Sequence, residues 1–185
     1  MFSSAARKRR AAEAQAARKL QREPVVLQFD YQPGALLYHG PIITTTLTIT
    51  QAHADALIAA GSPVPTPVSC RFLIDTGADG CVVKHEFAVK AGLKLIDDNS
   101  PLAGVGVDTT GKTYMGRVVF GVPSKIVSGA VHSMSVDTQV MSGDLKTTLF
   151  DGLIGRDVLQ YFAVTYDGKT GRVTMRYHKP LGMSH

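Results

Sequence analysis

Phe72-Leu73-Ile74-Asp75-Thr76-Gly77-Ala78-Asp79-Gly80-Cys81-Val82-Val83 drives an apolar strand straight into a carboxylate and then turns at a glycine. An acid at the end of a buried strand is costly unless its surroundings are built for it. Taken alone, Asp-Thr-Gly is as readily an ordinary strand-to-turn junction in which Asp75 accepts backbone amides. A second stretch, Phe150-Asp151-Gly152-Leu153-Ile154-Gly155-Arg156-Asp157-Val158-Leu159, lies about 80 positions downstream in the same chain and tips the balance.

Around these two stretches the texture is all-β. Val25 to Phe29, Ile42 to Thr50, Val68 to Ile74, Val118 to Val122 and Val131 to Val140 are short β-branched runs broken by Gly and Pro. Ala163 to Tyr166, the turn Asp167-Gly168-Lys169-Thr170-Gly171 and Arg172 to Tyr177 form a hairpin signal. Helical propensity is confined to short places. Ala52 to Ala60 ends at Gly61 and a stiff Ser-Pro-Val-Pro-Thr-Pro linker, His85 to Ala91 is capped by Gly92, and Asp157 to Tyr161 follows Gly155-Arg156. No internal repeat is present.

The 185 residues, 44% of them hydrophobic, suffice for one domain with a sizeable core and a tail. Arg7, Lys8, Arg9, Arg10, Arg18, Lys19 and Arg22 face only Glu13 and Glu23 within residues 1–23, so the whole formal charge of +5 sits there. The rest of the chain is neutral, which argues against a basic binding face and a nucleic-acid partner. Residues 1–23 are rich in helix formers but poor in large apolar side chains, and are expected to be a solvated helix or disordered. A basic arm for an acidic partner, or a transit peptide in a eukaryotic source, is the competing reading. Cys70 and Cys81 fit neither a disulfide framework nor a set of zinc ligands, and are expected in the core with no metal or cofactor. With no run of about 18 apolar residues and no apolar leader, a cytoplasmic protein without a transmembrane segment is expected.

The paired motifs resemble the retropepsin family, the retroviral-type aspartic proteases and their cellular and bacterial single-lobed relatives. There an apolar-apolar-Asp-Thr-Gly-Ala segment is followed, near the domain's end, by apolar-apolar-Gly-Arg-Asp and a short helix. Here the pair is Leu73-Ile74-Asp75-Thr76-Gly77-Ala78 and Leu153-Ile154-Gly155-Arg156-Asp157. The resemblance covers roughly Pro41 to Tyr177 and implies a protease domain over residues 24–179 with a short tail at 180–185. It implies a closed β-barrel of the acid-protease type, with a flap hairpin and one to three short helices. Asp75 resembles the catalytic carboxylate, Thr76 the residue whose hydroxyl braces two loops of a dimer, and Gly77 the point where backbone approaches substrate. Asp79 resembles the acid that pairs with Arg156, mainly a structural ion pair and also part of the cleft. Breaking such a pair, if partly buried, would cost on the order of 3 kcal/mol or more.

A protease of this type needs a flap, and Leu102 to Val118 carries four glycines, at 104, 106, 111 and 116, that suit one. Gly104-Val105-Gly106 also hints at a dinucleotide loop, but position 109 is Thr and no strand-helix unit surrounds it. Ala78, Asp79, Gly104, Val105, Gly106 and Ile154 are the expected substrate contacts; Val82, Val83 and Val107 are further candidates for an aliphatic cleft or simply for the core. Hydrolysis by this route takes two carboxylates sharing a proton, one acting as base on water while the other donates to the carbonyl oxygen. The chain has one Asp-Thr-Gly, and Asp151-Gly152 and Asp167-Gly168 lack the Thr or Ser of the brace. The expected enzyme is therefore a homodimeric aspartic endopeptidase acting on peptide or protein, with Asp75 meeting its twin across a two-fold axis. The alternative is an idle domain kept for dimerisation or peptide binding.

Overall fold

The structure, a computed structural model, describes residues 8–10, 12–15, 25–32, 34–104, 107–124 and 128–177, with the backbone alone at 102–104, 107–109 and 132. Within residues 25–177 the elements run β1 (Val26–Asp30), α1 (Ala35–His39), β2 (Ile42–Thr48), α2 (Gln51–Ala59), β3 (Val68–Ile74), β4 (Cys81–Lys84), α3 (His85–Lys90), β5 (Lys94–Gly104), β6 (Val107–Pro123), β7 (Val131–Gly143), β8 (Gly152–Ile154), α4 (Arg156–Leu159), β9 (Phe162–Asp167) and β10 (Arg172–Tyr177).

Two-residue alternation decides which way each wall faces. In β3, Val68, Cys70, Phe72 and Ile74 are buried while Ser69 and Arg71 are exposed; in β2, Ile43, Thr45 and Leu47 point inward. The strands pair in the order β2-β3-β8-β4-β7-β6, and β6 returns to β2 through Thr46↔Val119, Leu47↔Val118 and Thr48↔Arg117. The result is a closed six-stranded barrel. β4 is buried at Cys81, Val82 and Val83 without alternation, as a strand covered on both faces should be. β5 stands outside the ring: β6 pairs with it up to Met115, then takes β2 as partner from Arg117.

A separate antiparallel sheet, β1-β10-β9, packs on the barrel through Leu27, Phe162, Val173 and Met175, which join Phe72, Phe120 and Val118 in one core. Phe120 and Phe162 meet edge to face with centroids 5.4 Å apart. Phe72 and Phe120 are essentially inaccessible, so truncating either to Ala should cost about 3–5 kcal/mol.

The all-β barrel, the hairpin ending at Tyr177 and the helices near 52–60, 85–91 and 157–161 agree with the sequence reading, each end within a few residues. α1, β4, β8 and the first eight residues of β5, Lys94 to Pro101, have no counterpart in that reading; β5 apart, none exceeds five residues. Residues 8–10 and 12–15 are helical and exposed, with an Arg9–Glu13 bridge of 2.9 Å one turn apart. The rest of the basic tail and residues 180–185 lie outside the described residues. Among the described residues no helix is long and apolar enough to cross a membrane.

Candidate active site

Consecutive strands β3 and β4 are not neighbours, because β8 lies between them, parallel to β3 and antiparallel to β4. The loop 75–80 must therefore pass over the end of β8, where the chain turns into α4. This topology presses the two sequence motifs together. Asp75 N–H donates to Ile154 O at 3.0 Å, Arg156 N–H to Ala78 O at 2.9 Å and Asp157 N–H to Asp79 O at 3.1 Å. Glycine permits the approach: a Cβ on Gly155 would overlap the Gly80 carbonyl, and one on Gly152 would stand 2.6 Å from the Phe72 ring.

At the open tip of β3, half-buried, sits Asp75. Its Oδ1 accepts the Gly77 N–H at 2.8 Å, and among the described residues the carboxylate faces no cation at ion-pair distance. A Cβ on Gly77 would stand 3.1 Å from that oxygen, so the missing side chain keeps the acid uncovered. Thr76 and Gly77 are exposed, and Ala78 is half-buried. The Arg156 guanidinium fixes the loop from behind, Nη1 donating to Thr76 O at 2.8 Å and Gly77 O at 3.0 Å. Its Nη2 pairs with Asp79 Oδ1.

The expected Asp79–Arg156 pair thus forms, but at the surface, with Asp79's side chain 91% and Arg156's 53% exposed. Water screens such a pair to about 0–1 kcal/mol, so the larger cost expected for a partly buried pair does not apply. The less exposed tie is instead Asp157, half-buried, quoted in the motif but given no role by the sequence. Its Oδ2 accepts Thr138 Oγ1 at 2.5 Å and Cys81 N–H at 3.1 Å, so one carboxylate joins β7, β4 and α4 beneath the loop. Cys81 Sγ lies 3.4 Å from Asp157 Oδ1. Burial first, then that negative charge, pushes its thiol up, and burial aided by Asp151 raises the Cys70 thiol to about 12. Both cysteines are free, buried and protonated at neutral pH, structural rather than nucleophilic.

At the other end of β8 Asp151 is buried and fully engaged. Its carboxylate accepts Arg71 N–H at 2.9 Å and the Arg71 guanidinium at 3.1 and 2.8 Å, with Lys84 Nζ 4.0 Å away. Arg71 holds this carboxyl below the ordinary carboxylate range against the opposing effect of burial.

The expected flap is present as β5 and β6, whose arms pair to Gly104↔Val107; Val105 and Gly106 lie outside the described residues. A hydroxyl chain pins its base. Thr113 Oγ1 donates to Ser100 Oγ at 2.6 Å, and Ser100 Oγ to Asp97 Oδ2 at 2.7 Å. The Asn99 amide, then Ser100, holds the Asp97 carboxyl below its ordinary value. Ile154 and Val83 are wholly buried in this chain, Val82 nearly so, and all three are placed as core rather than cleft lining. A groove of about 320 Å³ lined by Thr48, Ile49, Ala54, Pro65 and Pro67 opens where β2 ends and β3 begins, away from Asp75. No metal-binding cluster of His, Cys, Asp or Glu occurs among the described residues.

A closed six-stranded barrel whose Asp-Thr-Gly loop is locked to a Gly-Arg-Asp turn defines the aspartic protease class. The sequence profile of the family described as aspartyl protease matches residues 45–158, which spans both motifs and the flap, and the chain belongs to that family. No curated protein matches it.

Proposed function

We propose that the chain is a homodimeric aspartic endopeptidase in which a water is activated between Asp75 and Asp75 of a second copy. The observation that carries this reading is the state of Asp75: an acid at the end of a buried strand, tied through its backbone to Ile154, whose carboxylate, among the described residues, accepts one hydrogen bond and faces no cation. Two such acids about 3 Å apart cannot both be ionised and would hold one proton between them. The ionised carboxylate takes a proton from water as its oxygen bonds the scissile carbonyl carbon, while the protonated one donates to the carbonyl oxygen. Collapse of the tetrahedral intermediate then breaks the C–N bond as the amine leaves with a proton. Thr76 braces the paired loops, and Gly77, Ala78, Asp79 and the flap segment 104–106 flank the substrate. Ile154 supports the floor from below, a role its burial favours over direct contact.

Cleavage of a peptide library by the wild type beside Asp75→Asn tests the reading. Cleavage is expected from the wild type alone, greatest in mildly acid buffer and fading once both protons are lost. Equal cleavage by the two proteins, or none by either across that range, would overturn it.

A further inference from the structure

Asp75 must meet its own copy, so whatever surrounds it at that end of the barrel also faces a copy of itself. Ten large apolar side chains among the described residues are exposed. Leu37 and Tyr38 on α1 are the most exposed large ones, each 78% accessible. α1 lies beside the Asp75 strand. Pro41 O accepts the N–H of Ile74, the residue before Asp75, at 3.0 Å, and only three peptide units, about 11 Å at most, separate Tyr38 from Pro41. Ile58, also exposed, rides on α2 beyond Thr48 at the far end of β2, roughly 20 Å of strand away.

The backbone that presents these side chains is anchored. Leu36 is buried as an anchor, Tyr166 Oη donates to Leu36 O at 3.2 Å, and Gly40 closes the helix at φ +70° against the Leu73 side chain. A backbone anchored before association costs less ordering on binding than a free segment would. The outer face of the three-stranded sheet competes poorly as a self-association face. It carries Gln28, Asp30, Arg172 and Arg176, with Arg172 and Asp30 paired at 2.7 Å.

We propose that α1 is a self-association element, Leu37 and Tyr38 packing against the second copy beside the two Asp75 loops. The inference rests on the two-chain reading above and adds to it the surface that joins the chains. Sedimentation velocity over a concentration series, with peptide cleavage in the same samples, tests it on three full-length proteins: wild type, Leu37→Ser/Tyr38→Ser and Ile58→Ser. The α1 variant should raise the dimer dissociation constant about 30-fold or more. Its cleavage should collapse at low concentration and return as concentration rises, because Asp75 is intact. Ile58→Ser should match the wild type in both. Because all three positions are exposed, melting curves taken below the dimer dissociation constants should coincide, and the α1 variant should fall behind only where the wild type gains stability by pairing. An α1 variant that dimerises as tightly as a dimeric wild type, or an Ile58→Ser variant that weakens association equally, overturns the assignment of the surface alone. A wild type that cleaves as a strict monomer overturns the two-chain reading itself, and is recognised without any variant.

Discussion

Asp75 and Asp151 stand at opposite ends of one pair of parallel strands, three residues of ladder apart, and could hardly be treated more differently. Asp151 is buried, with both oxygens bonded to Arg71 and Lys84 nearby; Asp75 is half-open and accepts one amide. Asp151's neighbours meet the cost of taking a charge out of water, and nothing of its bonding capacity remains for chemistry. Among the described residues, most of Asp75's lone pairs stay unclaimed. An acid that the fold has satisfied holds the fold; an acid that the fold has positioned but not satisfied is free to act.

Exchanging each acid for its amide should break the comparison most sharply. Asp75→Asn should lower cleavage by on the order of 10⁴ while leaving stability within about 0.5 kcal/mol of wild type in urea. Asp151→Asn should do the reverse in kind, removing about 1–3 kcal/mol because the buried end of the pair loses the charge that accepts the Arg71 amide and its half-exposed guanidinium. The same pair sets an acid limb. Arg71 lowers the folded Asp151 carboxyl, so its contribution is complete above the ordinary carboxylate value of about 4 and is lost as pH falls below that. Urea midpoints taken from pH 6 downward should therefore fall more steeply for wild type than for Asp151→Asn in that acid range.

Gly155→Ala probes the junction between the two regions. Its methyl would collide with the Gly80 backbone, displacing the Asp75 loop, and should cost about 1–3 kcal/mol together with a loss of cleavage larger than that instability explains. Arg156→Lys should have the smallest effect on stability, under about 1 kcal/mol at so exposed a site. It should still lower cleavage, since an ammonium cannot hold the Thr76 and Gly77 carbonyls and Asp79 with one planar fork. Equal effects on melting and turnover would reduce Arg156 to a surface charge.

Much of the barrel was legible because burial writes a two-residue rhythm, and β3 carries it without a break from Val68 to Ile74. The Asp-Thr-Gly and Gly-Arg-Asp motifs were legible as spaced words. What joined them was not. β8 has three residues and β4 four, too few for any periodicity, and the insertion of β8 between β3 and β4 is a purely non-local fact. Asp151 and Arg71 are 80 positions apart, and nothing in either neighbourhood announces the other. The Asp79–Arg156 pair was found on the right residues but at the wrong depth, since sequence spacing reports partners and not their exposure. α1 escaped because five residues with one buried position make no amphipathic stripe.

The seam that closes the barrel also governs how the molecule comes into being. Thr45, on β2, hydrogen-bonds to Val119, on β6, across 74 positions of chain. Such a contact pays its loop-closure entropy before it returns anything, so it belongs late in folding, after the flap hairpin and the terminal hairpin have formed from near neighbours. A ribosome that has not yet released β8 holds only an open sheet, because β8 is the strand that joins β3 to β4, and the apolar face of β3 waits unprotected at that edge until it arrives.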